Sequence, residues 1–286
     1  MHRKRISVAV PASVVSDTPH LREKTSKIGL IGRAAAIFGV SEIIIYCDEP
    51  KKDQKADMNL IATILRYMEA PQYLRKRLFK LMPELRYAGI LPPLRTPHHP
   101  LGGKITDLKL GEYREGITLS TSKKGTLVDI GAEKPALIPE ASFPSGKRIT
   151  VKITHIGKKI LVAPANRQEI PEYWGYTVTC FDGSLGKLLS DKRSALKIAT
   201  SKYGKNFNEI RDNVAEKWRK SEEILILFGA PTRGLYEIAR HEGMSLETTV
   251  DFVVNTIPRQ CTETVRTEEA LIASLAVFNI SLGFNS

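Results

Sequence analysis

The spacing of apolar and polar positions divides the 286-residue chain into three stretches of different period. Near the start, the β-branched run ISVAVPASV (6–14) leads into KTSKIGLIGRAAAIFGV (24–40), which has helical spacing, and then into SEIIIYCDE (41–49), short and almost wholly apolar. Strand, helix and strand in that order make a βαβ unit, and strands apolar on both faces belong in a parallel sheet covered by helices. Two helices are expected next, ADMNLIATILRYMEA and QYLRKRLFKLM, separated at Pro71 because proline ends one helix or opens another. LPPLRTPHHPLGG (91–103) then crowds prolines and glycines, as a boundary does and an element interior does not.

Beyond it the period falls to two. EGITLSTSKKGTLVDIG, PALIPEA, KRITVKITHIG and KKILVAPA are short alternating runs broken by Gly, Lys-Lys or Pro, the pattern of a small β-barrel. Strands alternating with helices return at GYTVTCF (175–181) and continue to VDFVVNTI (250–257). The expected fold is therefore α/β: one discontinuous domain with a parallel sheet, 1–92 and 169–286, interrupted at 93–168 by an OB-like barrel.

Composition narrows the function classes. Hydrophobic residues at 42% and charged residues at 26% describe a soluble globular chain, and no apolar run reaches the length of a membrane span. The opening MHRKRISVAV has the basic start of a signal peptide, but its apolar part stops at Pro11, so a cytoplasmic location is expected. A formal charge of +12 favours a polyanionic partner, nucleic acid above all. Cys47, Cys180 and Cys261 lack paired spacing, which points to neither a disulfide framework nor a zinc cluster. No metal is expected: His98 and His99 in the proline-rich boundary read as a solvated linker rather than ligands. No GxGxxG follows the first strand, which weighs against a dinucleotide enzyme.

Three loops carry the chemical signal, each beside the carboxyl end of an expected strand, where ligands of open α/β sheets bind. They are ATSKYG (199–204), GAPTRGL (229–235) and the long stretch VVNTIPRQCTETVRTEEALIASLAVFN (253–279). In the last, Thr262, Glu263, Thr264 and Arg266 read as side chains that satisfy the backbone of a compact loop, with Thr267 as a helix N-cap and Glu268 and Glu269 as its dipole partners.

VNTIPRQCTETVRTEEALIASLA resembles the cofactor-binding knot of SPOUT-class RNA methyltransferases. KTSKIGLIGRAAAIFGVSEIIIY, YWGYTV, IATSKYG and LFGAP stand in the matching order, and the whole layout is similar to the archaeal and eukaryotic branch that carries an OB-like insertion. The resemblance implies a deep C-terminal trefoil knot and S-adenosyl-L-methionine as cofactor, held bent by backbone groups of three loops. Those groups fall at Thr200, Ser201, Tyr203 and Gly204; at Phe228, Gly229 and Ala230; and at Asn255, Thr256, Ile257 and Pro258, with Val265 beside Ile257 lining an adenine slot. It also implies a ribosomal RNA substrate, with uridine N3 as the modified atom, and a homodimer formed through the final helix, whose apolar arc is wide.

Methyl transfer asks for alignment and the management of one proton. Arg33 and Arg233 are the catalytic candidates, in a positioning or charge-stabilising role because arginine stays protonated, and both equally fit phosphate contacts. Arg266 fits either the loop or substrate phosphate. Cys261 reads as a packed loop thiol before a nucleophile. Lys123, Lys124, Lys158 and Lys159 on the barrel and RKRLFK (75–80) supply the basic surface for RNA, the latter equally a solvated helix face. The alternative from another class is a non-catalytic RNA-binding or ribosome-assembly factor that keeps the knotted fold.

Overall fold

A computed structural model describes residues 4–284. In chain order its strands are β1 (Arg5–Pro11), β2 (Glu42–Tyr46), β3 (Tyr113–Ser122), β4 (Gly125–Asp129), β5 (Ala136–Pro139), β6 (Arg148–Ile156), β7 (Ile160–Pro164), β8 (Thr177–Phe181), β9 (Leu196–Asn206), β10 (Glu223–Leu227) and β11 (Phe252–Asn255). The helices are α1 (Leu21–Ile37), α2 (Lys55–Glu69), α3 (Arg75–Leu78), α4 (Leu185–Asp191), α5 (Phe207–Lys220), α6 (Leu235–His241), α7 (Leu246–Thr249) and α8 (Thr267–Leu282). They fall into two compact units: residues up to Arg66, Glu84–Pro93 and Tyr176 onward form one, Tyr67–Pro83 and Leu94–Gly175 the other.

The first unit is a six-stranded sheet in the order β11-β9-β10-β1-β2-β8, with every neighbouring pair parallel. Its inner strands β1, β2 and β10 are buried almost end to end, as their unbroken apolar runs require. Each isoleucine, valine or leucine shielded there contributes about 1.5–3 kcal/mol. β9 runs on to Asn206 through the stretch expected as a loop, 199–204, but with a break in its ladder: Val253 of β11 faces Ala199, while the next residue, Val254, faces Lys205. Residues 200–204 are thereby pushed out of the sheet at its carboxyl end. Gly204 permits this, since a Cβ there would lie 2.7 Å from the backbone of Val254. Asn206 then caps α5 through its side chain.

The second unit is a closed five-stranded barrel in the order β3-β4-β5-β7-β6, with β6 returning to β3. All pairs are antiparallel except β5 with β7, the five-stranded barrel arrangement expected of an OB-like module. Val128, Ile130, Ala136, Ile138, Val151, Ile153, Ile160 and Val162 fill it. The helix expected over 72–82 is present only as one 3-10 turn, Gln72–Leu74, and the single turn α3. Phe79 turns extended, packing its ring on Tyr67, and helical structure resumes only as a 3-10 turn opened by Pro83, Pro83–Leu85. The basic cluster is accordingly anchored in part: Arg75 donates to the Ala70 and Met68 carbonyls, and Arg77 pairs with Asp129 at 2.7 Å.

His98 and His99 are not solvated linker residues. His98 is fully buried, and both histidines donate Nε2–H to the Glu69 carbonyl, at 2.9 and 2.7 Å, supplying partners that the end of α2 lacks within the helix. Burial outweighs the pull of the Glu69 carboxylate and lowers the His98 pKa to about 4. Beside them lies a buried polar network. Glu69 accepts from Arg148 at 2.6 and 3.1 Å and from Arg167 at 2.9 Å. Glu115 accepts from Arg148, Thr150 and Trp174, each at 2.6 Å. Burial alone would raise the Glu69 pKa, but the Arg148 charge and hydrogen bonds, joined by His98 and Arg167, hold it below its ordinary value.

Candidate functional site

At the carboxyl ends of β9, β10 and β11 the first unit encloses a cavity of about 830 Å³, a size suited to a small-molecule ligand. The displaced segment of β9 gives it Thr200, Ser201, Lys202 and Tyr203; the loop after β10 gives Phe228, Gly229 and Ala230; the chain after β11 gives Asn255, Thr256 and Ile257. Val265 and the first turns of α8, through Thr267, Ala270 and Ser274, close the remaining side. Three expected loops thus meet at one void. Gly204 and Pro258 are not part of its lining. Gly204 serves the packing on Val254 described above.

The loops are tied to one another by side chains. Thr200 Oγ1 donates to the Leu227 carbonyl at 2.8 Å, and Thr267 Oγ1 donates to the Gly229 carbonyl at 2.9 Å. Asn255 Nδ2 donates to Lys202 O at 2.9 Å, and Lys202 Nζ reaches back to Glu263 O at 3.1 Å. Gln260 Nε2 donates to the Thr262 and Glu263 carbonyls. The polar stretch after Pro258 is therefore held by Gln260 and Lys202 bonding its backbone, with Asn255 bonding Lys202 O in turn. Thr267 is the first helical residue and not the N-cap: Arg266 stands at that position, and its N–H donates to Glu269 Oε2 at 2.9 Å. Glu268 turns inward, 3.6 Å from the buried Lys27 Nζ, which also pairs with Asp17 at 2.7 Å. Cys261 is exposed, not packed.

Several amides expected to face a ligand are used within the protein. Phe228 N–H donates to Ala9 O, Ala230 N–H to Arg233 O, and Ile257 N–H to Asn255 Oδ1. Tight loops must satisfy their own donors, so ligand recognition passes to hydroxyls, to carbonyls with a spare lone pair, and to side chains. The two arginine candidates are set apart. Arg233 lies on the cavity wall, but its guanidinium donates to Asp48 at 3.0 Å and to Glu49. Asp48 is itself fixed by Ser13 and Gln54. Arg33, on α1, is outside the cavity and donates to the Pro93 carbonyl at 2.9 Å.

A second wall has a chemistry the loops did not announce: Tyr236, Glu237, Arg240 and His241 of α6, with Glu247 of α7. Leu235, Ile238 and Ala239 bury the other side of α6. That polar and apolar alternation within GLYEIARHE was legible as one helix face, but nothing in it marked the polar side as facing a cavity. Among the described residues no group of three or more His, Cys, Asp or Glu side chains is placed to hold a metal.

Comparison with known proteins gives the family. The family model described as "Putative RNA methyltransferase" matches residues 5–278. The chain belongs to this RNA methyltransferase family. It is 32% identical, over 96% of its length and 99% of the other, to an uncharacterized protein of Haloarcula marismortui. It is 32% identical to the 28S rRNA (uridine-N(3))-methyltransferase of Drosophila melanogaster over 97% of this chain, which spans 62% of that protein. The Homo sapiens protein of the same name is 30% identical over 97% of this chain and 78% of its own. As an RNA methyltransferase, the chain needs a methyl donor beside RNA. The cavity lining offers apolar side chains at Ile257 and Val265, hydroxyls at Thr200, Ser201 and Thr256, and charges at Glu237 and Arg240, a mixed set that fits a small polar ligand with an apolar part.

Proposed function

We propose that the chain uses S-adenosyl-L-methionine to methylate ribosomal RNA, at N3 of a uridine in the large subunit. The observation that carries this reading is the convergence of residues 200–203, 228–230 and 255–257 with Val265 on one cavity in a chain of the RNA methyltransferase family. The Drosophila and human relatives, both 28S rRNA (uridine-N(3))-methyltransferases, support this choice of substrate. When bound, the cofactor supplies an electrophilic methyl group. Thr200, Ser201, Phe228, Gly229, Ala230, Asn255, Thr256, Ile257 and Val265 would hold and orient it, and the first turns of α8 would exclude water from that side of the cavity. Arg233, charge-compensated by Asp48 and Glu49, braces the second loop and acts as a positioning residue. Arg33 serves substrate phosphate.

The bonds from Asn255 to Lys202, from Lys202 to Glu263 and from Thr267 to Gly229 support a knotted passage of residues 256–266 past the neighbouring loops. The barrel, 93–168, is an RNA-binding insertion that works through phosphate and shape. A two-fold homodimer follows from apolar side chains exposed on adjoining helices, Leu30 and Ile37 on α1 and Ile272 and Ile280 on α8. Ile280→Asp is expected to give a monomer in light scattering; an unchanged dimer would remove α8 from the interface. For the activity, nucleosides of ribosomal RNA from cells lacking the protein are digested and weighed by mass spectrometry. Loss of 3-methyluridine, restored by the purified protein with S-adenosyl-L-methionine, is the expected result. An unaltered set of methylated nucleosides would refute the reading.

A further inference from the structure

We infer that Tyr203, set against Tyr236, is the stacking platform for the target base rather than a cofactor contact. The inference rests on the proposed RNA methyl transfer at this cavity.

A base paired and stacked in RNA cannot present a ring nitrogen to a donor buried in a protein. It must leave its stack, and the unstacking cost is offset by a new aromatic face. The lining residues assigned to the cofactor, such as Thr200, Thr256, Ile257 and Val265, are only partly exposed. Tyr203 lines the same cavity and yet is 74% exposed, among the most exposed large side chains of the molecule. Its place follows from the broken ladder of β9: it belongs to the 200–204 excursion, next to Gly204, which packs on Val254.

The ring is also fixed. Tyr236 meets it edge to face, with centroids 6.5 Å apart and planes at 69°. Tyr236 is oriented by its hydroxyl, which donates to Glu247 at 3.0 Å. The Lys202 ammonium lies 5.2 Å from the Tyr203 centroid and is tethered to Glu263 O, so one side of the ring is backed by a held cation. An aromatic face kept open to solvent, braced by a second ring and flanked by a positive charge, fits an unpaired nucleotide: base on the ring, adjoining phosphate on Lys202.

The test uses full-length protein and the variants Tyr203→Ala and Tyr203→Phe, whose exposed position leaves thermal unfolding unchanged. Tyr203→Ala is expected to lower kcat/KM for ribosomal RNA from cells lacking the protein by about ten- to a hundredfold at saturating S-adenosyl-L-methionine. Tyr203→Phe keeps the ring and should restore it. Calorimetric binding of S-adenosyl-L-methionine should be the same for all three proteins. Weakened cofactor binding in Tyr203→Ala with normal RNA kinetics at saturating cofactor would overturn the inference and return Tyr203 to the cofactor site. If the wild type transfers no methyl group, the Proposed function fails on its own. The platform is then decided by photo-crosslinking to RNA carrying 4-thiouridine: crosslinks at Tyr203 or Tyr236 carry it, and crosslinks that miss both overturn it.

Discussion

The two units handle buried polar chemistry in opposite ways. In the barrel unit, Glu69 and Glu115 are surrounded by Arg148, Arg167, Thr150 and Trp174, and every carboxylate oxygen is answered from inside. In the sheet unit, hydroxyls, carbonyls and charged side chains ring a void of about 830 Å³. A closed network fixes geometry and asks nothing of a ligand; an open one is completed only when something binds. The same residue types therefore specify shape in one place and recognition in the other.

The largest effect should come from opening the closed network. Glu69→Ala leaves Arg148 and Arg167 facing each other without their shared carboxylate, and urea unfolding is expected to show a loss of about 3–5 kcal/mol. Affinity for S-adenosyl-L-methionine should be untouched, because the cavity shares no residue with the network. A loss of cofactor binding larger than the loss of stability would erase the distinction between the two units.

Acid reaches the same unit through His98. Its folded pKa of about 4 lies below the ordinary value of 6.5, so the unfolded chain takes up a proton that the folded one refuses. The stability it contributes is present above pH 6.5 and is lost as pH falls through the window down to about 4, amounting to about 3 kcal/mol. Glu69, also depressed, extends the loss to more acid pH. His98→Gln should flatten the slope between pH 6.5 and 4 in thermal unfolding, and an unchanged slope would assign it elsewhere.

Two gentler changes probe the open site. Gly204→Ala drives a Cβ to 2.7 Å from Val254, forcing the 200–204 excursion to shift. A cost of about 1–3 kcal/mol is expected, with cofactor affinity down about tenfold. Thr267→Val removes only the hydrogen bond to Gly229 O, worth about 1 kcal/mol, and should weaken the cofactor roughly fivefold by calorimetry.

Much of this was readable in the chain. The apolar runs of β1, β2 and β10 announced a parallel sheet because they are buried on both faces, and the alternation from 115 to 165 announced a barrel. Loop positions at 200, 229 and 255 were legible because glycine and proline mark strand ends. What escaped has physical reasons. The excursion in β9 depends on which residue of β11 lies opposite, a pairing no local pattern encodes. The α6 wall is an ordinary amphipathic helix until its neighbours are known. His98 and His99 sit in a proline-rich segment that resembles a linker, and no local pattern shows that the Glu69 carbonyl lies within their reach.

The most direct test of the central claim is calorimetric titration of S-adenosyl-L-methionine into the wild type and into Ala230→Trp, which fills the cavity between the second loop and α8. Binding of one cofactor per chain by the wild type, lost in the variant while its thermal unfolding is preserved, is the expected result. A wild type that binds none, or a variant that binds as tightly, would contradict it.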